Sequence, residues 1–91
     1  MKIYIAGKIT GDENYKSKFQ KAADKLKNEG HSVMIPSILP SGFEHFEYMK
    51  ICYAMIDVCV VVLFLSDWRD RLGAIMEHDY CLKTEKHIIY D

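Results

Sequence analysis

Apolar and polar residues are arranged along the chain in a way that predicts four strands separated by three helices. Short runs of β-branched or aromatic residues, each closed by a glycine, a proline or a polar loop, predict strands. Apolar residues that recur every three to four positions predict helices. Strands are expected over Lys2–Ala6, His31–Ile35, Val58–Leu65 and Lys86–Tyr90. The first helix is expected between a cap at Asp12 and an end at Gly30, with an apolar face formed by Tyr15, Phe19, Ala22, Ala23 and Leu26. The other two helices are expected over Glu44–Ile56 and Gly73–Lys83.

The third predicted strand, Val58–Leu65, is apolar throughout instead of alternating. Such a run indicates a strand buried on both faces, as in a parallel sheet covered by helices. Strict alternation of strand and helix therefore predicts an α/β fold of the flavodoxin/Rossmann-like kind, a three-layer sandwich with a four-stranded parallel sheet and right-handed crossovers. Ligands of such sheets bind beyond the carboxyl ends of the strands. Three loops meet that description, Gly7–Asp12, Pro36–Phe43 and Ser66–Leu72.

Composition fits one globular domain spanning residues 1–91, since 49% of the residues are hydrophobic and 27% are charged. That balance excludes a disordered tail, a collagen-like repeat and a coiled coil. The longest apolar run has eight residues, against the roughly 20 that a bilayer requires. No signal peptide is visible, so we expect a cytoplasmic protein without a membrane partner. The net charge of −1 gives no electrostatic reason to expect a nucleic-acid polymer as partner.

The cysteines and histidines do not indicate a metal or a cofactor. Cys52, Cys59 and Cys81 form no Cys-x-x-Cys unit and cannot all pair within one chain. The simplest interpretation is three reduced thiols that pack as small hydrophobes. Glu77-His78-Asp79 resembles a ligand cluster, but neighbours on a helix point about 100° apart. The four histidines are scattered without metal-ligand spacing.

The loop from Gly7 to Asp12 is compatible with either an anion site or a plain turn. Its two glycines allow a ligand to approach the backbone, and free amides at a helix start favour an anion. It lacks, however, both the Gly-x-Gly-x-x-Gly pattern and the ending of a phosphate-binding P-loop. The sequence leaves both interpretations open.

The start of the last helix carries a carboxylate one turn after two small residues. Gly73 and Ala74 lie where a ligand would approach, and the Glu77 side chain can point back over them toward the sheet edge. A carboxylate there can attack an electrophilic carbon or stabilise a cation. The alternative is a solvent-facing glutamate that stabilises a helix start.

Several short motifs, in this order, resemble the nucleoside 2-deoxyribosyltransferase-like family. Ile3-Tyr4-Ile5-Ala6-Gly7 looks like its Tyr-x-Ala-Gly opening, and Gly73-Ala74-x-x-Glu77 looks like its catalytic helix. The match is closer to a short bacterial and phage branch of that family. There a proline-containing loop precedes a Tyr-Met helix, here Tyr48-Met49, and a Leu-x-x-Trp motif follows, here Leu65 to Trp68. The resemblance covers nearly the whole chain.

The resemblance implies cleavage of the bond between a base and a ribose or deoxyribose. Glu77 matches the nucleophile that forms a glycosyl-enzyme intermediate, and Tyr4 matches the tyrosine that orients it. Water or a second base then resolves the intermediate. Gly7 and Gly73 match positions where backbone contacts the ligand. The implied substrate-binding residues are Ala6, Gly7, Lys8, Asp67, Trp68, Arg71, Gly73 and Ala74.

Three positions depart from that family pattern. Lys8 replaces a proline, Arg71 replaces an aspartate or serine, and Val60 replaces an acid before the third strand. Two of these changes add cations, which can hold a phosphate. We therefore expect a nucleoside 5′-monophosphate as ligand, with hydrolysis ahead of base exchange. The alternatives are a non-catalytic nucleotide-binding or interaction module, and a structural protein without a ligand.

Aromatic residues in two segments admit structural as well as functional interpretations. Trp68 can stack on a base or anchor its loop. Phe46, Tyr48 and Tyr53 of the second helix suit a core or a subunit contact better than a base platform. Since members of the family form symmetric dimers that complete the site, we expect a homodimer or a higher homo-oligomer.

Overall fold

The computed structural model describes all 91 residues and contains four strands and three helices. The strands are β1 (Lys2–Ala6), β2 (Ser32–Met34), β3 (Val61–Phe64) and β4 (His87–Tyr90). The helices are α1 (Tyr15–Asn28), α2 (His45–Asp57) and α3 (Leu72–Lys83). Short 3₁₀ turns at Pro36–Ile38 and Trp68–Asp70 lie in the loops that follow β2 and β3.

All four strands are parallel, in the order β2-β1-β3-β4. Ile3 of β1 is level with Val33 of β2 and Val61 of β3, and Val61 is in turn level with His87 of β4. The predicted α/β fold with a four-stranded parallel sheet is confirmed. The chain adds β2 on one side of β1 and β3 on the other, so the strand order reverses between β1 and β3. In open parallel sheets, this reversal creates a crevice beyond the carboxyl ends of the two strands.

Alternating side chains of β1 separate the core into two halves. Ile5 faces α1 and packs in a cluster with Phe19, while Tyr4 and Ala6 face the side covered by α2 and α3. The second half is the larger one, with Phe64 of β3 among its fully buried side chains. Because α2 and α3 both pack on this half, their inner faces meet next to the Tyr4 side chain.

The observed elements differ from the predicted ones mainly at their ends. The strand predicted over Val58–Leu65 is wrong in length, because Val58 caps α2 and Val60 is 56% exposed before β3 begins. Asp12 is not the N-cap of α1, which is Asn14. The Asp12 carboxylate instead accepts a hydrogen bond from the Asn14 backbone N–H at 2.9 Å. Gly30 follows α1 with φ +92°, the left-handed conformation expected at a helix end.

Two further features bear on the sequence expectations. None of the three helices has the length and apolar character needed to cross a membrane. All three cysteines are buried and unpaired.

Candidate functional site

A cavity of about 260 Å³ opens at the carboxyl ends of the strands, on the side of the sheet covered by α2 and α3. Its walls come from the loops after β1 and β2, from one face of α2 and from the start of α3. Its volume suits one small molecule. The lining residues are Gly7, Ile9, Thr10, Tyr15, Pro36, Leu39, Pro40, Ser41, His45, Tyr48, Met49, Cys52, Arg71, Gly73, Ala74 and Glu77.

Glu77 is the only carboxylate among the residues that line the cavity. It lies on the inner face of α3, on the same side of the helix as the buried Ala74 and Cys81, and is only 5% exposed. The alternative of a solvent-facing glutamate is therefore wrong. A carboxylate buried in this way needs hydrogen-bond donors, because burial without them costs several kcal/mol.

The Tyr4 hydroxyl, which is completely buried, donates a hydrogen bond to Glu77 Oε2. This hydrogen bond connects β1 to α3 through two residues that are 73 positions apart in the sequence. The Cys52 thiol of α2 also lies near this carboxyl group. Tyr4, Cys52 and Glu77 bring β1, α2 and α3 together at the cavity, with Cys52 and Glu77 in its wall and Tyr4 behind them.

Burial controls the proton affinities of these three groups. It raises the pKa of Glu77 to about 7, although the hydrogen bond from Tyr4 and the nearby Cys52 thiol act in the opposite direction. Burial, followed by the charge of Glu77, raises the pKa of Cys52 to about 11 and holds the pKa of Tyr4 well above its usual value. Glu77 is consequently the member of the group that ionises near neutral pH.

The small residues beside Glu77 leave room for a ligand. A Cβ atom at Gly73 would meet only Met49 Sδ at 3.8 Å and His45 Cε1 at 3.9 Å. Gly7 is different, because a Cβ there would lie 3.0 Å from Leu65 Cδ1 and 3.2 Å from Asp67 Oδ1. Gly7 is thus required by the close approach of the loops after β1 and β3.

Asp67 and Lys8 take part in a hydrogen-bond network outside the cavity lining. The Lys8 N–H donates to Asp67 Oδ1 at 3.0 Å. Lys18 of α1 donates to Asp67 Oδ2, to Asp12 Oδ2 at 2.7 Å and to the Lys8 carbonyl at 2.8 Å. The Lys8 side chain lies beside Gly11, and its Cε is 3.7 Å from the position that a Cβ atom would occupy at residue 11. The network ties together the two loops that flank Gly7.

Replacing Lys18 with methionine is expected to lower the free energy of unfolding by about 1–2 kcal/mol, since three acceptors lose one partly buried donor. Urea unfolding measures the change. Lys21→Met, an exposed position on the same helix, is the matched control and should change stability little. An equal effect of the two substitutions would contradict the structural role of Lys18.

Trp68 lies behind the cavity and is not part of its wall. Its ring stacks on His78 at 4.2 Å between centroids and packs edge-on against Phe64, and the Arg69 guanidinium covers it at 4.8 Å. His78 in turn bonds the Tyr90 hydroxyl at 2.6 Å. In this structure the indole anchors the loop after β3, which was the alternative to base stacking.

The structure brings half of the predicted binding and catalytic residues to one cavity. Gly7, Arg71, Gly73, Ala74 and Glu77 line it, and Tyr4 supports Glu77 from behind. The remaining predicted residues lie outside the lining and are Ala6, Lys8, Asp67 and Trp68. Ala6 is completely buried within the core.

Helix α2 contributes a wall of the cavity that includes Tyr48, which the sequence interpretation placed in the core or a subunit contact. His45, Tyr48, Met49 and Cys52 all line it. Their spacing of three, four and seven positions is that of a single helix face, and this signal was available in the sequence. Tyr48 is fixed by a 2.6 Å hydrogen bond from its hydroxyl to the Pro40 carbonyl. Tyr53 stacks on Tyr80 instead.

Nowhere does the structure gather three or more histidine, cysteine or acidic side chains in an arrangement that could hold a metal ion.

The profile of a protein family described as a domain of unknown function, DUF4406, matches residues 1–90. The chain belongs to this family. No functionally curated protein shows significant sequence similarity to this DUF4406 chain.

Among solved structures, a 2-deoxyribosyltransferase from Leishmania mexicana superposes on the DUF4406 chain with a TM-score of 0.77. The two sequences are 17% identical, and the match covers 98% of this chain and 62% of that one. At this identity the likeness establishes a shared fold. The DUF4406 chain thus spans less than two thirds of the length of the enzyme it resembles.

Proposed function

We propose that this protein cleaves the N-glycosidic bond of a nucleoside 5′-monophosphate, with Glu77 as the nucleophile. The observation that carries the proposal is the placement of Glu77, buried at a cavity wall, held by the Tyr4 hydroxyl and next to the small Gly73 and Ala74. The shared fold with a 2-deoxyribosyltransferase and the motif resemblance are consistent with it.

The chemistry follows that of retaining glycosidases. An ionised Glu77 oxygen attacks the anomeric carbon, the bond to the base breaks, and a glycosyl-enzyme intermediate forms. Tyr4 fixes the second carboxylate oxygen, Oε2, so that the attacking atom is oriented. Water attack on the intermediate completes hydrolysis, and attack by a second base completes transfer.

Arg71 is the residue we assign to the 5′-phosphate. It lines the cavity at the N-cap position of α3, a helix whose first turn has no side-chain cap. A guanidinium beside free amides suits a phosphate. Lys8 was predicted to share this role, but its side chain lies outside the cavity lining. The phosphate assignment therefore rests on Arg71 alone.

Chromatographic detection of free base tests the activity. The protein is incubated with a panel of purine and pyrimidine nucleosides and their 5′-monophosphates, with Glu77→Ala as control. Release of base from a monophosphate by the natural protein alone is expected. Addition of a second free base separates transfer from hydrolysis, because only transfer yields a new nucleotide.

The same panel tests the phosphate contact. Arg71→Ala is expected to raise KM for the monophosphate by about 10- to 100-fold, the value of a charged hydrogen bond, while leaving the unphosphorylated nucleoside unaffected. Lys8→Ala serves as the matched control and should change neither. Equal effects of the two substitutions would contradict the assignment to Arg71.

A non-catalytic nucleotide-binding module is the second candidate. It is favoured by one observation, the absence of a second carboxylate in the cavity, which glycosidases ordinarily use as acid. Tight binding of one nucleotide without release of base from any substrate would establish this alternative and overturn the enzymatic one.

A homodimer remains part of the proposal. Of the three aromatic residues first considered for its interface, Phe46 is the best placed, since its side chain is 61% exposed on α2. Light scattering at micromolar concentration is expected to give twice the monomer mass or more.

A further inference from the structure

Cleavage of an N-glycosidic bond requires a second group besides the nucleophile. When the bond between the anomeric carbon and the base nitrogen breaks, its electron pair stays on the base, which leaves far more readily if it receives a proton. Retaining glycosidases supply that proton from a second carboxylic acid. Here Glu77 is the only carboxylate among the lining side chains, so an acid supplied by this chain has to be of another type.

Most other groups of the cavity are unsuited to donate a proton near neutral pH. Arg71 does not give up its proton in proteins. Burial raises the pKa of Cys52 to about 11, and the Tyr48 hydroxyl is already donating to the Pro40 carbonyl. The remaining hydroxyls of the lining, those of Thr10, Tyr15 and Ser41, are weak acids. Among the lining side chains this leaves the imidazole of His45.

His45 is placed to serve the same ligand as Glu77. It is the first residue of α2, and its Cε1 atom lies 3.9 Å from a Cβ built at Gly73, one helical turn before Glu77. The two side chains therefore border the space above Gly73. No hydrogen bond or ion pair within the chain holds the imidazole, and its exposure to solvent allows it to recover a proton after each turnover.

We propose that His45 is the general acid that protonates the leaving base, an inference that rests on the proposed glycosidic cleavage. In the first step Glu77 forms a bond to the anomeric carbon, the bond to the base breaks, and the imidazolium proton passes to the base. In the second step water attacks the anomeric carbon and the bond to Glu77 breaks. The neutral imidazole accepts the proton of that water, which restores both groups.

The test compares two leaving groups. One substrate is the nucleoside monophosphate that the panel identifies, and the other is the 4-nitrophenyl glycoside of the same sugar phosphate, whose nitrophenolate departs without a proton. His45→Gln is expected to lower the first-turnover rate constant for release of the base by about 10²- to 10⁴-fold but that for release of nitrophenolate by less than about threefold. The first turnover is compared because the later attack of water, which His45 also assists, is common to both substrates. His87→Gln, at an exposed histidine outside the cavity, is the matched control.

The outcomes separate the two proposals. If the natural protein cleaves neither substrate, the glycosidic function fails before any variant is examined, and the assignment of His45 fails with it. If the natural protein cleaves both and His45→Gln slows both equally, or slows neither, the glycosidic function stands and the role of His45 as acid is overturned.

Discussion

Glu77→Gln is expected to lower kcat for base release by about 10⁴-fold or more while the protein remains folded. The amide has the shape of the carboxyl group but cannot form the glycosyl intermediate. Its carbonyl oxygen can still accept the hydrogen bond that Tyr4 donates to Glu77 Oε2. The loss therefore falls on the chemical step, and single-turnover measurements of base release with enzyme in excess over substrate isolate that step.

Asp79→Asn is the matched control for this prediction. Asp79 lies two residues further along α3, its side chain is 60% exposed, and it pairs with Lys83 at 2.9 Å. An exposed pair of this kind contributes little to stability, so its loss should leave kcat and folding nearly unchanged. A Glu77→Gln protein that retained kcat within about tenfold of the natural value would rule out the nucleophilic role.

The periodic patterns predicted the fold because every strand and helix carries its own local signal. The apolar run that contains β3 predicted a central strand but did not show where that strand begins. Val58 and Val60 are as apolar as the strand residues, yet they lie outside the sheet. Exposure at the end of such a run depends on the neighbouring strand. Here Lys2 of β1 accepts the Val60 N–H through its carbonyl before regular pairing begins.

For the candidate site too, some features could be predicted from local sequence, whereas others depend on residues that are distant in the chain. Position on α3 indicated that Glu77 faces the sheet, but its burial depends on Tyr4, which is 73 residues away in sequence. The loop residues show more clearly what local sequence patterns cannot predict. The backbone of Lys8 is held by hydrogen bonds with Lys18 and Asp67, which lie 10 and 59 residues away in sequence and which no local pattern predicts.

When the pH rises from about 5 to about 8, the ionisation of Glu77 is expected to lower the free energy of unfolding by about 3 kcal/mol. Burial raises the pKa of this carboxyl to about 7 in the folded chain, against 4.5 for an unperturbed glutamate. Between those values the folded state holds a proton that the unfolded state has released. Stability therefore falls as pH rises from about 4.5 to about 7, and the loss is complete above that range.

Other groups titrate in the same range, so the prediction concerns a difference between two proteins. Burial, followed by the charge of Arg69, lowers the pKa of His78, which makes stability rise with pH below the ordinary histidine pKa and opposes the effect of Glu77. Urea unfolding of the natural protein and of Glu77→Gln at each pH removes that contribution by subtraction. The difference in unfolding free energy should move by about 3 kcal/mol in favour of the glutamine variant.

Tyr4→Phe supplies the second arm of this experiment. The Tyr4 hydrogen bond lowers the pKa of Glu77, so its removal should extend the fall in stability to higher pH. If the difference between the natural protein and Glu77→Gln did not change between about pH 5 and pH 8, the carboxyl would already be ionised in the fold at the lower pH. The expected result means instead that the ionised carboxylate required for attack is also the less stable form. The fraction of protein with an ionised Glu77 should then increase with pH over the range in which stability falls.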